Sequence, residues 1–267
     1  MDYIRKIKKN IDKKVQVGPG LRVHVAKKSL GQNFLKSEPA LRMMCEAGDV
    51  QNTDVIVEIG PGKGALTSKL LEQGGKVIAI EKDRELVAHL KERFEIEIKN
   101  KKLEIIDGDC LEFDPTNYKI KKYKLIANIP YNITGAIIKR FLSEVSSPNT
   151  MVILVQKEVA ERIVARDNKE SILSLSVKAY GTPKYMMKVG KRFFSPSPKV
   201  DSAIVSITNI SKNNFKEKES ELNFFKIIKT AFAHKRKVLR KNLEDVVSKE
   251  DIADIFTELN INPNTRA

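Results

Sequence analysis

The sequence predicts an α/β protein: a mostly parallel, doubly wound sheet followed by a small helical domain. Three observations predict it. Short runs rich in Val and Ile alternate with helical patterns, as strands joined by right-handed crossovers do. The first run ends in a glycine cluster, Gly60-Pro-Gly-Lys-Gly64, at the point where a strand should turn into a helix. The chain has 267 residues, enough for one large α/β domain and an appendage.

Each element has its own signal. Residues 54–59 (DVIVEI) read as a buried strand, and 65–73 as a helix stopped by Gly74-Gly75. Residues 76–80 form a second strand and 84–93 a second helix. Strands three to five fall at 103–106, 124–127 and 151–155. Residues 183–189 and 202–207 look like two strands with no helix between them, a hairpin-like end to the sheet. The polar run SKNNFKEKES, 211–220, reads as a linker. Residues 221–243 follow as a helix, with Phe225, Ile228 and Phe232 at helical spacing, then 251–259 as a shorter one. The expected division is a basic extension (1–26), a main domain (27–208) and a helical domain (209–267).

Composition narrows the class of function. Hydrophobic residues make up 41% of the chain, adequate for a packed core. No apolar run approaches the ~18–20 residues that span a bilayer, and the N-terminus is too charged for a signal peptide. The two cysteines, Cys45 and Cys110, lack metal-like spacing and read as free thiols in a reducing cytoplasm. His24, His89 and His234 are scattered, which suggests neither a metal site nor a histidine-based triad. Lys plus Arg number 49 against 34 acidic residues, a net +15. A polyanionic partner explains such a balance, because basic side chains neutralise phosphates and release counterions. A solvated Lys-rich surface would explain it too.

Chemistry concentrates at the ends of the strands. Gly60, Gly62 and Gly64 form G-x-G-x-G, which lets backbone and a helix N-terminus approach a ligand. Glu81 ends the second strand about twenty residues on, where a carboxylate can accept from the ribose hydroxyls of an adenosine. Asp109, beside Cys110 after the third strand, can accept from an adenine amine; Lys82 adjoins Glu81. The fourth strand ends in Asn128-Ile129-Pro130-Tyr131. An adenine amine is a poor nucleophile because its lone pair is delocalised. Acceptors at its two N–H groups, the Asn128 side-chain oxygen and the Ile129 carbonyl, favour a pyramidal nitrogen and stabilise the charge developing on it. Pro130 fixes the turn and Tyr131 offers a face for a base to stack on. With an activated methyl donor, alignment meets most of the remaining demand. In Arg192-Phe193-Phe194-Ser195-Pro196-Ser197-Pro198-Lys199, Phe194 is the expected stacking residue and Phe193 the core residue.

At these residues the chain resembles the ribosomal RNA adenine N6-dimethyltransferases, the bacterial kasugamycin-resistance methylase and its eukaryotic relatives. The resemblance runs through Lys28-Ser-Leu-Gly-Gln32-Asn33-Phe34-Leu35, Glu58-Ile-Gly-Pro-Gly-Lys-Gly-Ala-Leu-Thr67, Asn128-Ile-Pro-Tyr131, Val155-Gln-Lys-Glu-Val-Ala-Glu-Arg162 and Phe194-Ser-Pro-Ser-Pro-Lys-Val-Asp-Ser-Ala203. The basic helix expected through His234-Lys-Arg-Lys-Val-Leu-Arg-Lys241 also looks like the family's C-terminal domain, with Lys235, Arg236, Lys237, Arg240 and Lys241 as RNA-binding candidates. The resemblance implies a class I methyltransferase fold and S-adenosyl-L-methionine as donor, with S-adenosylhomocysteine as product and no metal. It implies that Gln32, Asn33, Leu35, Gly60, Glu81, Asp109 and Asn128 line the cofactor site. The implied substrate is a pair of adjacent adenosines near the 3′ end of small-subunit ribosomal RNA, met in a precursor particle. A monomer in the cytoplasm, or in a nucleolus or organelle in a eukaryote, is expected.

Three features depart from the family pattern. Ser197 stands where proline is frequent. The extension carrying Arg5, Lys6, Lys8, Lys9, Lys13 and Lys14 is longer than in many bacterial members, and reads equally as an RNA-contacting arm or a solvated tail. The chain stops just after the Asn262-Pro263 turn, where the family usually continues into another helix. Rival readings are a large-subunit (erythromycin-resistance type) methylase, a DNA adenine methyltransferase, and a non-catalytic assembly or transcription factor. The single proline after Asn128-Ile129 disfavours the DNA enzyme, and the 155–158 and 194–202 stretches favour the small-subunit enzyme.

Overall fold

The computed structural model describes residues 26–144, 146–234 and 236–267; all of the N-terminal extension but Ala26 therefore lies outside the described residues. Along the chain the elements are β1 (Phe34–Leu35), α1 (Glu38–Ala47), β2 (Val55–Ile59), α2 (Ala65–Glu72), β3 (Lys76–Glu81), α3 (Arg84–Arg93), α4 (Glu95–Lys99) and β4 (Leu103–Asp107). There follow β5 (Lys124–Asn128), α5 (Thr134–Lys139), β6 (Thr150–Gln156), α6 (Lys157–Val164), α7 (Ile172–Lys178), β7 (Thr182–Val189), β8 (Phe194–Ser195) and β9 (Ser202–Thr208). The C-terminal part holds α8 (Lys218–Ala231), α9 (Leu239–Leu243) and α10 (Lys249–Glu258).

Seven strands form one sheet in the order β4-β3-β2-β5-β6-β9-β7. Strands β4 to β6 pair in parallel, whereas β9 pairs antiparallel with both β6 and β7. The expected hairpin-like end is thus present, with β9 inserted between β6 and β7. Successive side chains alternate between faces. Val57, Ile59, Ile78, Ile80 and Leu125 meet Ile137 and Phe141 on one face. Ile56, Val77, Ala79 and Ile126 meet Met44, Leu70 and Leu90 on the other. Burial on both faces is why these strands read as continuous apolar runs.

Three parts differ from the sequence expectation. The five-residue α4 is not expected from the sequence; the buried Phe94 just before it lies against Gly64 of the glycine loop. The segment 211–220 is not a free linker, because Phe215 packs against Tyr180, Phe224 and Phe225 with ring centroids 5.5, 5.5 and 6.4 Å away. Tyr180 also donates to the Glu221 carboxylate, so α8 is fastened to the main core. The helix expected over 221–243 is broken between Ala231 and Leu239, so of the basic stretch 234–241 only Leu239, Arg240 and Lys241 are helical, in α9, while His234, Arg236 and Lys237 lie in the break. Asn242, only 3% exposed, donates to the carbonyls of Ala231 (2.8 Å) and His234 (3.2 Å). The His234 carbonyl accepts from Lys237 N–H at 2.9 Å as well, so side chain and turn together serve the carbonyls at this helix end.

Candidate active site

A cavity of about 550 Å³ opens at the carboxyl ends of the central strands. The chain moves outward from β2 through β3 to β4, then returns to the other side of β2 at β5. Ligand crevices form at this reversal in open α/β sheets.

The glycine loop supplies the floor. Gly60, Gly62 and Gly64 have φ of 63°, 59° and 81°, values that L side chains adopt only with strain. Gly60 and Gly62 line the cavity, and a Cβ on Gly62 would come within 2.9 Å of the Phe34 ring. Gly64 does not line it. It starts α2, and a Cβ there would meet Phe94 at 2.5 Å, so this glycine serves packing rather than the ligand. Arg93 braces the loop by donating to the Lys63 carbonyl and, at 3.0 Å, to the Ser68 hydroxyl.

Glu81, Asp109, Lys82 and Cys110 all reach the same cavity. One Glu81 carboxylate oxygen accepts from Gly62 N–H (3.2 Å) and the other from Asp83 N–H (2.9 Å). Each oxygen keeps a second lone pair for a ligand donor. Burial pushes the Glu81 pKa up, against these backbone hydrogen bonds. Asp109 is held below the usual carboxylate range by Lys82, whose ammonium lies 2.7 Å away, and it also accepts from Leu111 N–H at 2.9 Å. Burial pushes the Cys110 thiol up to about 12, so it is a neutral wall of the cavity and no nucleophile.

Gln32, Asn33 and Leu35 close the opposite side. Gln32 is a brace: its nitrogen donates to Asp83 (2.8 Å) and its oxygen accepts from Lys27 N–H (2.7 Å). Asn33 donates from its side chain to the Gly31 carbonyl at 3.1 Å. Its own carbonyl accepts from the Asn128 side-chain nitrogen at 3.2 Å, so the Asn128 amide oxygen is the end left for a ligand. Ile129, Pro130 and Tyr131 line the cavity beside it. The Tyr131 hydroxyl hydrogen-bonds Ser202 Oγ at 2.6 Å, which fixes the ring, and burial raises its pKa.

The expected burial of the two phenylalanines is reversed. Phe194 is 4% exposed, pairs with Leu35 across β1–β8 and belongs to the core, whereas Phe193 is 37% exposed. The basic candidates Arg236, Lys237, Arg240 and Lys241 are exposed and lie outside the cavity lining. Lys235 lies outside the described residues.

Three cavity or near-cavity residues were not singled out from sequence. Phe34 lines the cavity with the Lys63 ammonium 5.1 Å from its ring centroid. Glu58, 1% exposed, accepts from the Thr67 hydroxyl at 2.7 Å. Asp83, 2% exposed, caps α3 and takes the Lys27 ammonium at 2.7 Å. Only Asp83 had a local signal, an acid directly before a helical pattern.

Comparison with known proteins agrees with this geometry. A family model described as ribosomal RNA adenine dimethylase matches residues 23–267. The chain is 40% identical to the ribosomal RNA small subunit methyltransferase A of Dehalococcoides mccartyi, over 91% of this chain and 83% of that one. It is 39% identical to the protein of the same name from Fusobacterium nucleatum, over 90% and 91%. Among solved structures, a dimethyladenosine transferase from Plasmodium falciparum aligns with TM-score 0.71 and 28% identity, covering 87% of this chain and 90% of that one. The 23S rRNA methyltransferase ErmE aligns with TM-score 0.74 at 22% identity, covering 87% and 92%, a likeness of fold. The sheet order, the cavity and the extent of these matches lead to one conclusion: the chain has the class I methyltransferase fold and belongs to the ribosomal RNA adenine dimethylase family.

Proposed function

We propose that the protein transfers methyl groups from S-adenosyl-L-methionine to the N6 amines of two adjacent adenosines near the 3′ end of small-subunit ribosomal RNA. The observation that carries this is the end of β5: the Asn128 nitrogen is tied to the Asn33 carbonyl, which leaves the amide oxygen for a ligand, and Asn128 lines the cavity together with Ile129, Pro130 and Tyr131. The donor supplies a methyl group already activated on a sulfonium. Glu81 would hold the donor's ribose hydroxyls, and Asp109 its adenine amine. Gly60 and Gly62 at positive φ allow close approach of its backbone-facing side, and Asn33, Leu35, Lys82 and Cys110 wall the rest. The Asn128 oxygen and the Ile129 carbonyl would accept from the target amine, stabilising positive charge on nitrogen as the methyl arrives. The extra proton then leaves to solvent, so no side-chain base is needed. Tyr131, held by Ser202, would carry the target base on its ring.

On this reading the protein acts as a monomer on a small-subunit precursor in the cytoplasm. Residues 27–208 form the catalytic domain, residues 209–267 the RNA-recognition domain, and Arg236, Lys237, Arg240 and Lys241, with Lys235, contact phosphates.

The test is methyl incorporation from labelled donor into unmethylated small subunits, large subunits and duplex DNA. Small subunits alone should accept label, with two methyls on each of two adenosines. Label in large subunits instead would favour the 23S-type reading. Asn128→Ala should lower turnover by ~100-fold while S-adenosylhomocysteine affinity, measured by calorimetry, changes little. Unchanged turnover would sink the amine-polarising role.

A further inference from the structure

Phe193 occupies an unusual place for a large apolar ring. It is 37% exposed, on a short turn (Lys191–Phe193) that leads directly into β8. Its neighbour Arg192 sets a guanidinium 5.0 Å from the ring centroid. The exposed cations Lys36, Lys191 and Lys199 surround it in the chain and across β1–β8. This turn is anchored on several sides. Phe193 N–H donates to the Gly190 carbonyl at 3.0 Å, and the Phe193 carbonyl accepts from Lys36 N–H at 2.8 Å. Lys191 N–H donates to Asp201 at 2.9 Å, and the Ser197 hydroxyl to the Lys191 carbonyl at 3.0 Å. The ring is therefore presented on a fixed backbone, and little ordering entropy would be lost on binding.

Its position relative to the cavity is informative. Both Lys36 and Ser195 line the cavity, and Phe193 bonds to the first and lies two residues from the second. Two residues span at most about 7 Å of backbone, so the ring stands beside the cavity mouth without lining the cavity. A ring at that distance is outside the reacting centre and within reach of the strand that enters it.

We propose that Phe193, backed by Arg192, is a stacking platform for a nucleobase neighbouring the target adenosine in the RNA strand. The proposal rests on the methyltransferase reading above and deepens it by naming a second base-binding position. An aromatic ring suits an unstacked base of any identity, and a guanidinium on the ring adds attraction for the polyanionic strand. The platform makes a specific demand on the substrate: the residue beside the target must itself be unpaired. A rim position of this kind acts on substrate capture, so its loss should appear in KM and not in the chemical step.

The test uses the full-length protein and unmethylated small subunits, with KM and kcat determined for wild type, Phe193→Ala, Phe193→Leu and Phe193→Tyr. The Ala and Leu variants should raise KM for small subunits by ~10-fold, the lower part of the range that one stacked base provides. Their kcat should stay within about twofold, and S-adenosylhomocysteine affinity should not change. Phe193→Tyr, which keeps the ring, should restore KM to near the wild-type value. An unchanged KM in Phe193→Ala overturns the platform. A wild-type KM in Phe193→Leu also overturns it, since apolar bulk without a π face would then suffice, as against a protein partner. Equal losses in cofactor affinity and kcat overturn it in favour of a structural role. A wild-type protein that methylates no small subunits defeats the functional reading itself, and the platform with it; wild-type transfer that Phe193→Ala leaves intact defeats the platform alone.

Discussion

Glu58 sits at the floor of the cavity with its carboxyl 1% exposed, and burial pushes its pKa up to about 8, with Glu81 adding to the shift. It is therefore protonated at neutral pH. That matters beside Glu81, because a second anion in the same crevice would repel the first. The neutral acid accepts from the Thr67 hydroxyl at 2.7 Å and so ties β2 to α2 across the glycine loop. The linkage has a definite sign. In the unfolded chain a glutamate releases its proton near pH 4.3, whereas the folded protein keeps it until about pH 8. Between those values the unfolded state binds fewer protons, so stability falls as pH rises, by up to about 1.4 kcal/mol per pH unit from this group. Glu58→Gln removes the titration and keeps the acceptor. Its melting temperature should exceed that of wild type at pH 8 and match it near pH 4.5. Parallel Tm–pH curves for the two proteins would refute the neutral-acid assignment.

Elements were legible in the sequence wherever a buried β-rich run or a helix boundary residue was present. All five parallel strands fall within a residue or two of their expected ends, because both their faces are covered. The features that escaped are those decided by distant partners. Phe193 and Phe194 are adjacent and chemically identical, so only the pairing of Phe194 with Leu35 determines which one turns inward. Gln32 and Gly64 belong to recognisable motifs, yet their partners, Asp83 and Phe94, lie far along the chain. The break between α8 and α9 contains neither Pro nor Gly; the buried amide of Asn242, distant in sequence, holds two of its carbonyls, and Leu239 N–H bonds to the Thr265 carbonyl. The share of Asn242 is measurable. Asn242→Ala leaves two carbonyls without their side-chain donor and opens space in a site that is 3% exposed. Unfolding free energy from denaturant titration should drop by ~1–3 kcal/mol, with cofactor affinity unaltered, since the amide lies outside the cavity lining. A loss below about 0.5 kcal/mol would mean that the turn is held by other interactions.

At the scale of the whole molecule, the chain separates the chemistry from the charge. The cavity lining balances three acids, Glu58, Glu81 and Asp109, with three lysines, Lys36, Lys63 and Lys82, among amides and apolar side chains, whereas the exposed cations Arg236, Lys237 and Arg240 follow α8 outside that lining. Such a division suits a substrate whose reacting base is neutral and whose backbone is a polyanion: affinity is collected at a distance from the site, and alignment is supplied within it. Because α8 is fastened to the main core through Tyr180, Phe215 and Phe225, phosphates held on the turn would act on a body continuous with the catalytic sheet. The consequence is a separable salt dependence. Replacing Lys235, Arg236, Lys237 and Arg240 by Ala should weaken RNA binding and reduce the slope of log K against log salt concentration by up to about 3–4, at ~0.7–0.9 for each phosphate that is no longer neutralised. Turnover at saturating RNA should change far less than affinity, since none of the described members of this set lines the cavity. If the slope is the same in the variant and in wild type, the turn is only a solvated face, and the strand must be gathered by cations elsewhere on the surface.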